Sequence, residues 1–184
     1  CCTKQERERH SRHLARHNKT HHITSGGSSS SSSDSCSDVT SGWSDGNSDI
    51  NHGPWGNDVT EVSTSVSLAA DCTLSWDWYA GHTRDGEEDW VAIDGTMVWR
   101  ATSSHSTTCD GECLVDDCTQ SSETSVTTFT DGSDIQSGQS SCKYTVELSY
   151  GCGSTVELSM NSNLDQSLGD EWWAFSNVRH CGNS

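Results

Sequence analysis

The chain has 184 residues and carries 27 Asp and Glu against 10 Lys and Arg, a net charge of −17 at neutral pH with histidine uncharged. That length holds one domain of about 130–150 residues plus a tail, and a body this acidic repels nucleic acid and anionic membranes. No apolar run reaches the roughly 18 residues of a membrane helix, so no membrane insertion is expected, and ten cysteines point to an oxidising, extracellular setting with up to five disulfides.

The charge is divided unevenly. Residues 1–23 carry six of the ten Lys and Arg and sum to +4, whereas residues 24–184 sum to −21. The first segment is a basic, His-rich arm. From Lys4 to His17 it has no Gly or Pro, places Glu6 and Glu8 early and its cations later, and so has the charge pattern of a short solvated helix. Leu14 is the large apolar residue of that stretch, too little to hold a helix by packing. His10, His13, His17 and His21 would share one stripe of such a helix, a pattern compatible with Zn²⁺ binding or with a pH-sensitive face. Docking of the arm on an acidic neighbour is the stronger reading. The absence of a hydrophobic leader before Cys1 fits a mature or partial chain whose secretory signal has been removed.

Residues 24–38 form a Ser/Gly-rich linker too low in complexity to fold. Asn18-Lys19-Thr20 is an N-glycosylation sequon, and Ser28, Ser29 and Ser30 offer O-glycan acceptors, so covalent glycans are expected on the linker and its flanks.

Residues 39–184 read as a disulfide-stabilised β-sandwich. Asp45-Gly46-Asn47, the stretch Asn51 to Asn57, and Asp85-Gly86 are turn clusters between short alternating runs. Val62, Thr64, Val66 and Leu68 form one run, and Cys72, Leu74, Trp76, Trp78 and Ala80 form another with one buried face. Asp94-Gly95 between Val91/Ile93 and Met97/Trp99 predicts a two-residue type I′ hairpin. Two near-identical runs, Thr145 to Ser149 and Thr155 to Ser159, predict a second hairpin with Val146, Leu148, Val156 and Leu158 on one side and Glu147 and Glu157 on the other. A last strand is expected from Trp172 to Val178. The class is therefore all-β, an antiparallel sandwich or jelly roll with a short basic N-terminal helix or arm.

The cysteines stand at 1, 2, 36, 72, 109, 113, 118, 142, 152 and 181 (Cys1, Cys2, Cys36, Cys72, Cys109, Cys113, Cys118, Cys142, Cys152, Cys181). Cys109, Cys113 and Cys118 invite a zinc-cluster reading, but disulfides are the better one in so cysteine-rich a chain, since the spacing is not the paired C-x2-C of zinc sites; connectivity is left open. Acidic residues concentrate in Asp85-Gly86-Glu87-Glu88-Asp89 and in the corner formed by Asp165, Asp170 and Glu171, the best candidates for a structural Ca²⁺ site because a hard cation takes six to eight oxygens from irregular loops. Trp43, Trp55, Trp172 and Trp173 are candidates for a sugar-stacking or interface surface, with a core role as the alternative. No nucleophile elbow, paired-histidine zinc motif or phosphate loop is present, so no catalytic residues are assigned and no enzymatic activity is expected.

Three blocks, Gly53 to Ser63, Leu74 to Arg100, and Leu164-Asp-Gln-Ser-Leu-Gly-Asp-Glu-Trp-Trp-Ala-Phe-Ser-Asn-Val178, occur in an order that resembles a β-sandwich domain of extracellular algal and protist proteins, including surface-fibre and mastigoneme-like proteins. That domain is similar to galactose-binding-like jelly rolls. The resemblance spans about residues 40–180 and implies a structural Ca²⁺ at one end, with Asp85, Asp170 and Glu171 converging. It implies a secreted structural subunit of a glycosylated fibre or coat, on the cell surface or a flagellar fibre. Copies would assemble head to tail, basic arm on acidic body, into a filament. A Ca²⁺-dependent carbohydrate-binding or adhesion module is the alternative.

Overall fold

The computed structural model describes residues 35–69, 72–82, 84–104, 108–125, 141–150 and 153–182. The basic arm, the linker up to residue 34, Asn18, Ser28, Ser29, Ser30, Cys1, Cys2 and Cys152 lie outside the described residues. The strands are β1 (Ser35–Asp38), β2 (Asn51–Trp55), β3 (Glu61–Ser67), β4 (Cys72–His82), β5 (Asp85–Ile93), β6 (Thr96–Ser104), β7 (Thr108–Cys113), β8 (Cys118–Ser125), β9 (Ser141–Tyr150), β10 (Thr155–Ser162) and β11 (Glu171–Gly182). One sheet runs β1-β11-β4-β9-β8, with β2 also paired to β11, and the other runs β3-β10-β5-β6-β7. Every pairing is antiparallel.

Side chains alternate across a strand, so one face of each sheet supplies the core. Leu74, Trp76 and Trp78 of β4, Tyr144, Val146 and Leu148 of β9, and Trp173 and Phe175 of β11 form one wall. Val62 and Val66, Val91 and Ile93, Trp99, and Val156, Leu158 and Met160 join them from the other sheet in a single cluster, a sandwich-like arrangement. Tryptophan adds large buried area to these aliphatics. Trp78 stacks on Trp173 at 5.1 Å between ring centroids, and Trp99 meets Trp76 and Tyr144 edge-on across the two sheets.

The β5–β6 turn is the expected one: Asp94 and Gly95 have φ of 49° and 72°, both positive as a type I′ loop requires. The second expected hairpin is corrected. Both strands exist, with Val146, Leu148, Val156 and Leu158 buried and Glu147 and Glu157 exposed. They do not pair with each other: β9 lies between β4 and β8, whereas β10 lies between β3 and β5 in the opposite sheet. Both sheets present the same apolar face inward, so identical patterns suit opposite walls of one core as well as neighbours in one sheet.

The Asn51 to Asn57 cluster is also more than a turn. Its first part is β2, which pairs with β11 and contains a cis Gly53-Pro54 peptide. Gly53 has φ of 94°, and a Cβ there would stand 2.9 Å from the Trp173 carbonyl oxygen, so the close strand approach needs glycine.

Covalent links close the sandwich. Cys109 of β7 bonds to Cys142 of β9 in the other sheet, and Cys113 bonds to Cys118 across the β7–β8 connection. Gln120 of β8 adds hydrogen bonds from Trp99 Nε1, at 2.6 Å, and to the Gly111 carbonyl. Cys36–Cys181 fastens β1 to β11 beside the Arg179–Asp38 ion pair. The disulfide reading of Cys109, Cys113 and Cys118 therefore holds over the zinc reading.

Candidate metal centre

The acidic stretch after β4 is not an irregular loop. It is the start of β5, whose inward positions are Glu87, Asp89, Val91 and Ile93, so alternation drives two carboxylates toward the interior. Each is compensated differently. Asp89, fully buried, accepts hydrogen bonds on Oδ2 from Arg84 at 2.6 Å and from Trp78 Nε1 at 2.9 Å. Arg84, itself 1% exposed, also donates to the Trp172 carbonyl at 3.0 Å. Burial pushes the Asp89 carboxyl up, and Arg84 opposes it.

Glu87 folds back on its own chain, where Oε2 accepts the amides of Asp85 at 2.8 Å and Gly86 at 3.2 Å. Gly86, at φ of 144°, allows that curl. Burial alone would raise Glu87, and the amides of Glu87, Asp85 and Gly86 outweigh it, holding the carboxyl below its ordinary value.

Glu171 opens β11 opposite His82 of β4 and has 0% of its surface exposed. Neither of its carboxylate oxygens has a hydrogen-bond partner among the described residues. Its pKa is pushed up to about 7, by burial first and then by the Glu87 carboxylate, with Arg84 opposing and Asp165 and Asp85 adding repulsion. One oxygen each from Asp85, Glu87 and Glu171 lies within 4.8 Å of the others. Arg84 donates to Asp89 and the Trp172 carbonyl, and its charge offsets only part of the rise that burial and the neighbouring carboxylates impose on Glu171. Three carboxylates at that separation repel unless protons or a cation intervene. The donor set is all oxygen, one carboxylate oxygen from each of three residues, and suits Ca²⁺ better than Zn²⁺, which prefers nitrogen and sulfur.

Two of the four residues expected from sequence, Asp85 and Glu171, meet here. The third member is Glu87, which the register of β5 turns to the same side as Asp89. Asp165 and Asp170 are exposed in the connection before β11 and lie outside the three-carboxylate group. The Asp165 carbonyl accepts a hydrogen bond from Asn57, and the Asp170 amide donates to Ser167, so their main chains shape the loop beside the centre. Glu88, on the outward register, pairs with Arg100.

The aromatic surface expected of Trp43, Trp55, Trp172 and Trp173 is corrected. Trp43, Trp172 and Trp173 are 4%, 1% and 0% exposed, and half-buried Trp55 packs on Trp173 at 4.7 Å. These rings are taken up by packing, where each buries a large area. The chain matches no family model, no curated protein and no solved structure.

Proposed function

We propose that the chain is a secreted, glycosylated structural subunit of an extracellular fibre or surface coat, a jelly-roll-like sandwich that binds a structural Ca²⁺ through Asp85, Glu87 and Glu171. Glu171 carries this reading. A buried carboxylate with no donor among the described residues, facing two more carboxylates within 4.8 Å, is unfavourable alone and favourable around a divalent cation. The cation would join the start of β5 to the start of β11, strands of opposite sheets.

Three further features support the structural role. The disulfides between Cys36 and Cys181, Cys109 and Cys142, and Cys113 and Cys118 suit an oxidising exterior. A +4 arm and a −21 body are complementary between copies. Ser35 pairs with Gly182, so the segment preceding β1 joins the body at the far end of β11 from Glu171. An arm leaving one end and docking on the next body makes a heterologous contact, which propagates into filaments. The resemblance to surface-fibre and mastigoneme-like sandwiches points the same way.

A Ca²⁺-dependent carbohydrate-binding or adhesion module is the second reading. It is favoured by the exposure of Asp85, which leaves the outer side of the centre open to a pair of sugar hydroxyls. Electron microscopy of the native material with and without EDTA separates the two. Filaments that disperse in EDTA, and are missing when residues 1–34 are deleted, support the subunit. Monomers in every condition refute it, and EDTA-sensitive glycan retention then selects the module.

A further inference from the structure

On the outer face of the first sheet, three neighbouring strands bring an amine, a carboxamide and a carboxylate together. Asp77 lies in the middle of β4, turned away from the core between Trp76 and Trp78, and is 8% exposed. Its Oδ2 accepts a hydrogen bond from Nδ2 of Asn177 on β11 at 2.8 Å and lies 3.3 Å from Nζ of Lys143 on β9. Thr145 donates to Oδ1 at 2.7 Å, which fixes the carboxylate plane.

Register produces this meeting. Asp77 pairs with Ser176 on one side and Thr145 on the other, while Lys143 pairs with Tyr79. The irregularity in β11 between Ser176 and Arg179 places Asn177 at φ of 53°, and its amide reaches across to β4. The Lys143 ammonium sits over the Tyr79 ring, 5.9 Å from its centroid.

We propose that Lys143 and Asn177 become joined by an isopeptide bond within the folded chain, with Asp77 acting as general base and then general acid. Asp77 accepts a proton from the Lys143 ammonium, and the Nζ lone pair attacks Cγ of Asn177. As the Cγ–Nδ2 bond breaks, Asp77 relays to Nδ2 the two protons that Nζ sheds. The products are a secondary amide and one ammonium ion, with no oxidant, reductant or cofactor consumed. The fold supplies the effective concentration that the same groups lack in water. Partial burial works against the Lys143 ammonium, and Asp77, Tyr79 and Glu123 outweigh it, so the resting state is the ion pair and reaction starts with transfer to Asp77. The bond would staple β9 to β11 across β4. It requires neither the cation nor the fibre assembly.

Peptide mapping by tandem mass spectrometry on the full, folded, then reduced and alkylated chain tests this. The expected result is a branched peptide containing Lys143 and Asn177, lighter by one ammonia than its two arms. Asp77→Ala keeps both reactants and should yield the two arms separately, as should Lys143→Arg, which keeps the cation beside Asp77. Circular dichroism verifies folding; if Asp77→Ala does not fold, the wild-type map and Lys143→Arg decide. Separate, unmodified Lys143 and Asn177 peptides from folded wild-type protein would overturn the proposal. A branched peptide at wild-type yield in folded Asp77→Ala would overturn the role of Asp77.

Discussion

Replacing Glu171 by Gln should stabilise the cation-free protein and remove its response to Ca²⁺. The side chain is fully buried, lacks hydrogen-bond donors among the described residues and is held at about 7 instead of the ordinary 4.5. That difference corresponds to ~3 kcal/mol of destabilisation when the group is ionised above pH 7. Glutamine keeps the shape without the charge, although its amide still finds few partners, so the expected net gain at pH 8 in EDTA is about 1–3 kcal/mol. Free Ca²⁺ at a hundredfold over its dissociation constant should stabilise the wild type by about 2.7 kcal/mol and Glu171→Gln by close to zero. Urea unfolding at pH 8, in EDTA and in Ca²⁺, reads both effects as midpoint shifts with the slope as a control for two-state behaviour. The reasoning is refuted if Glu171→Gln is less stable than wild type in EDTA, or if Ca²⁺ stabilises the two proteins equally.

Folding raises Glu171, so its contribution to cation-free stability is full below about pH 4.5 and is lost as pH rises through 7. Thermal unfolding in EDTA should accordingly show this loss between pH 5 and pH 8, with Ca²⁺ restoring stability at pH 8 and adding little at pH 5. The disulfides should differ in effect because Cys36–Cys181 closes a separation of 145 residues and Cys113–Cys118 closes one of 5. By loop entropy, double serine replacement costs about 5 kcal/mol at the first and about 2 kcal/mol at the second, measured by urea unfolding. Gly81→Ala should destabilise by about 3 kcal/mol, since its Cβ would fall 1.8 Å from Trp172 Cε2; a midpoint equal to wild type would contradict that packing.

What the sequence reveals follows from how local each signal is. The inward residues of β4 and the Asp94-Gly95 turn were legible because alternation and positive φ are properties of a few consecutive residues. The partners of β9 and β10 were not, since Val146/Leu148 and Val156/Leu158 are the same pattern whichever sheet they belong to. β2 hid behind Gly53-Pro54, residues that ordinarily mark a turn and here accompany a close approach to Trp173. At the centre, Asp85 and Glu171 were legible as acids in two dense clusters. Glu87 was not singled out, because its role depends on β5 being a strand that starts at Asp85, which turns Glu87 inward and Glu88 toward Arg100. Asp165 and Asp170 belong to the same acidic corner in sequence, but the strand that follows begins at Glu171, so of the three acids only Glu171 is buried.

The most direct measurement is terbium luminescence excited through tryptophan, followed by calcium competition, on wild type and Glu171→Gln side by side. Trp172 adjoins Glu171 in sequence and can sensitise an ion held there. The cation centre predicts one saturable signal in the wild type, displaced by Ca²⁺ and missing from the folded variant. No saturable signal in the wild type, or an identical titration in Glu171→Gln, would contradict it.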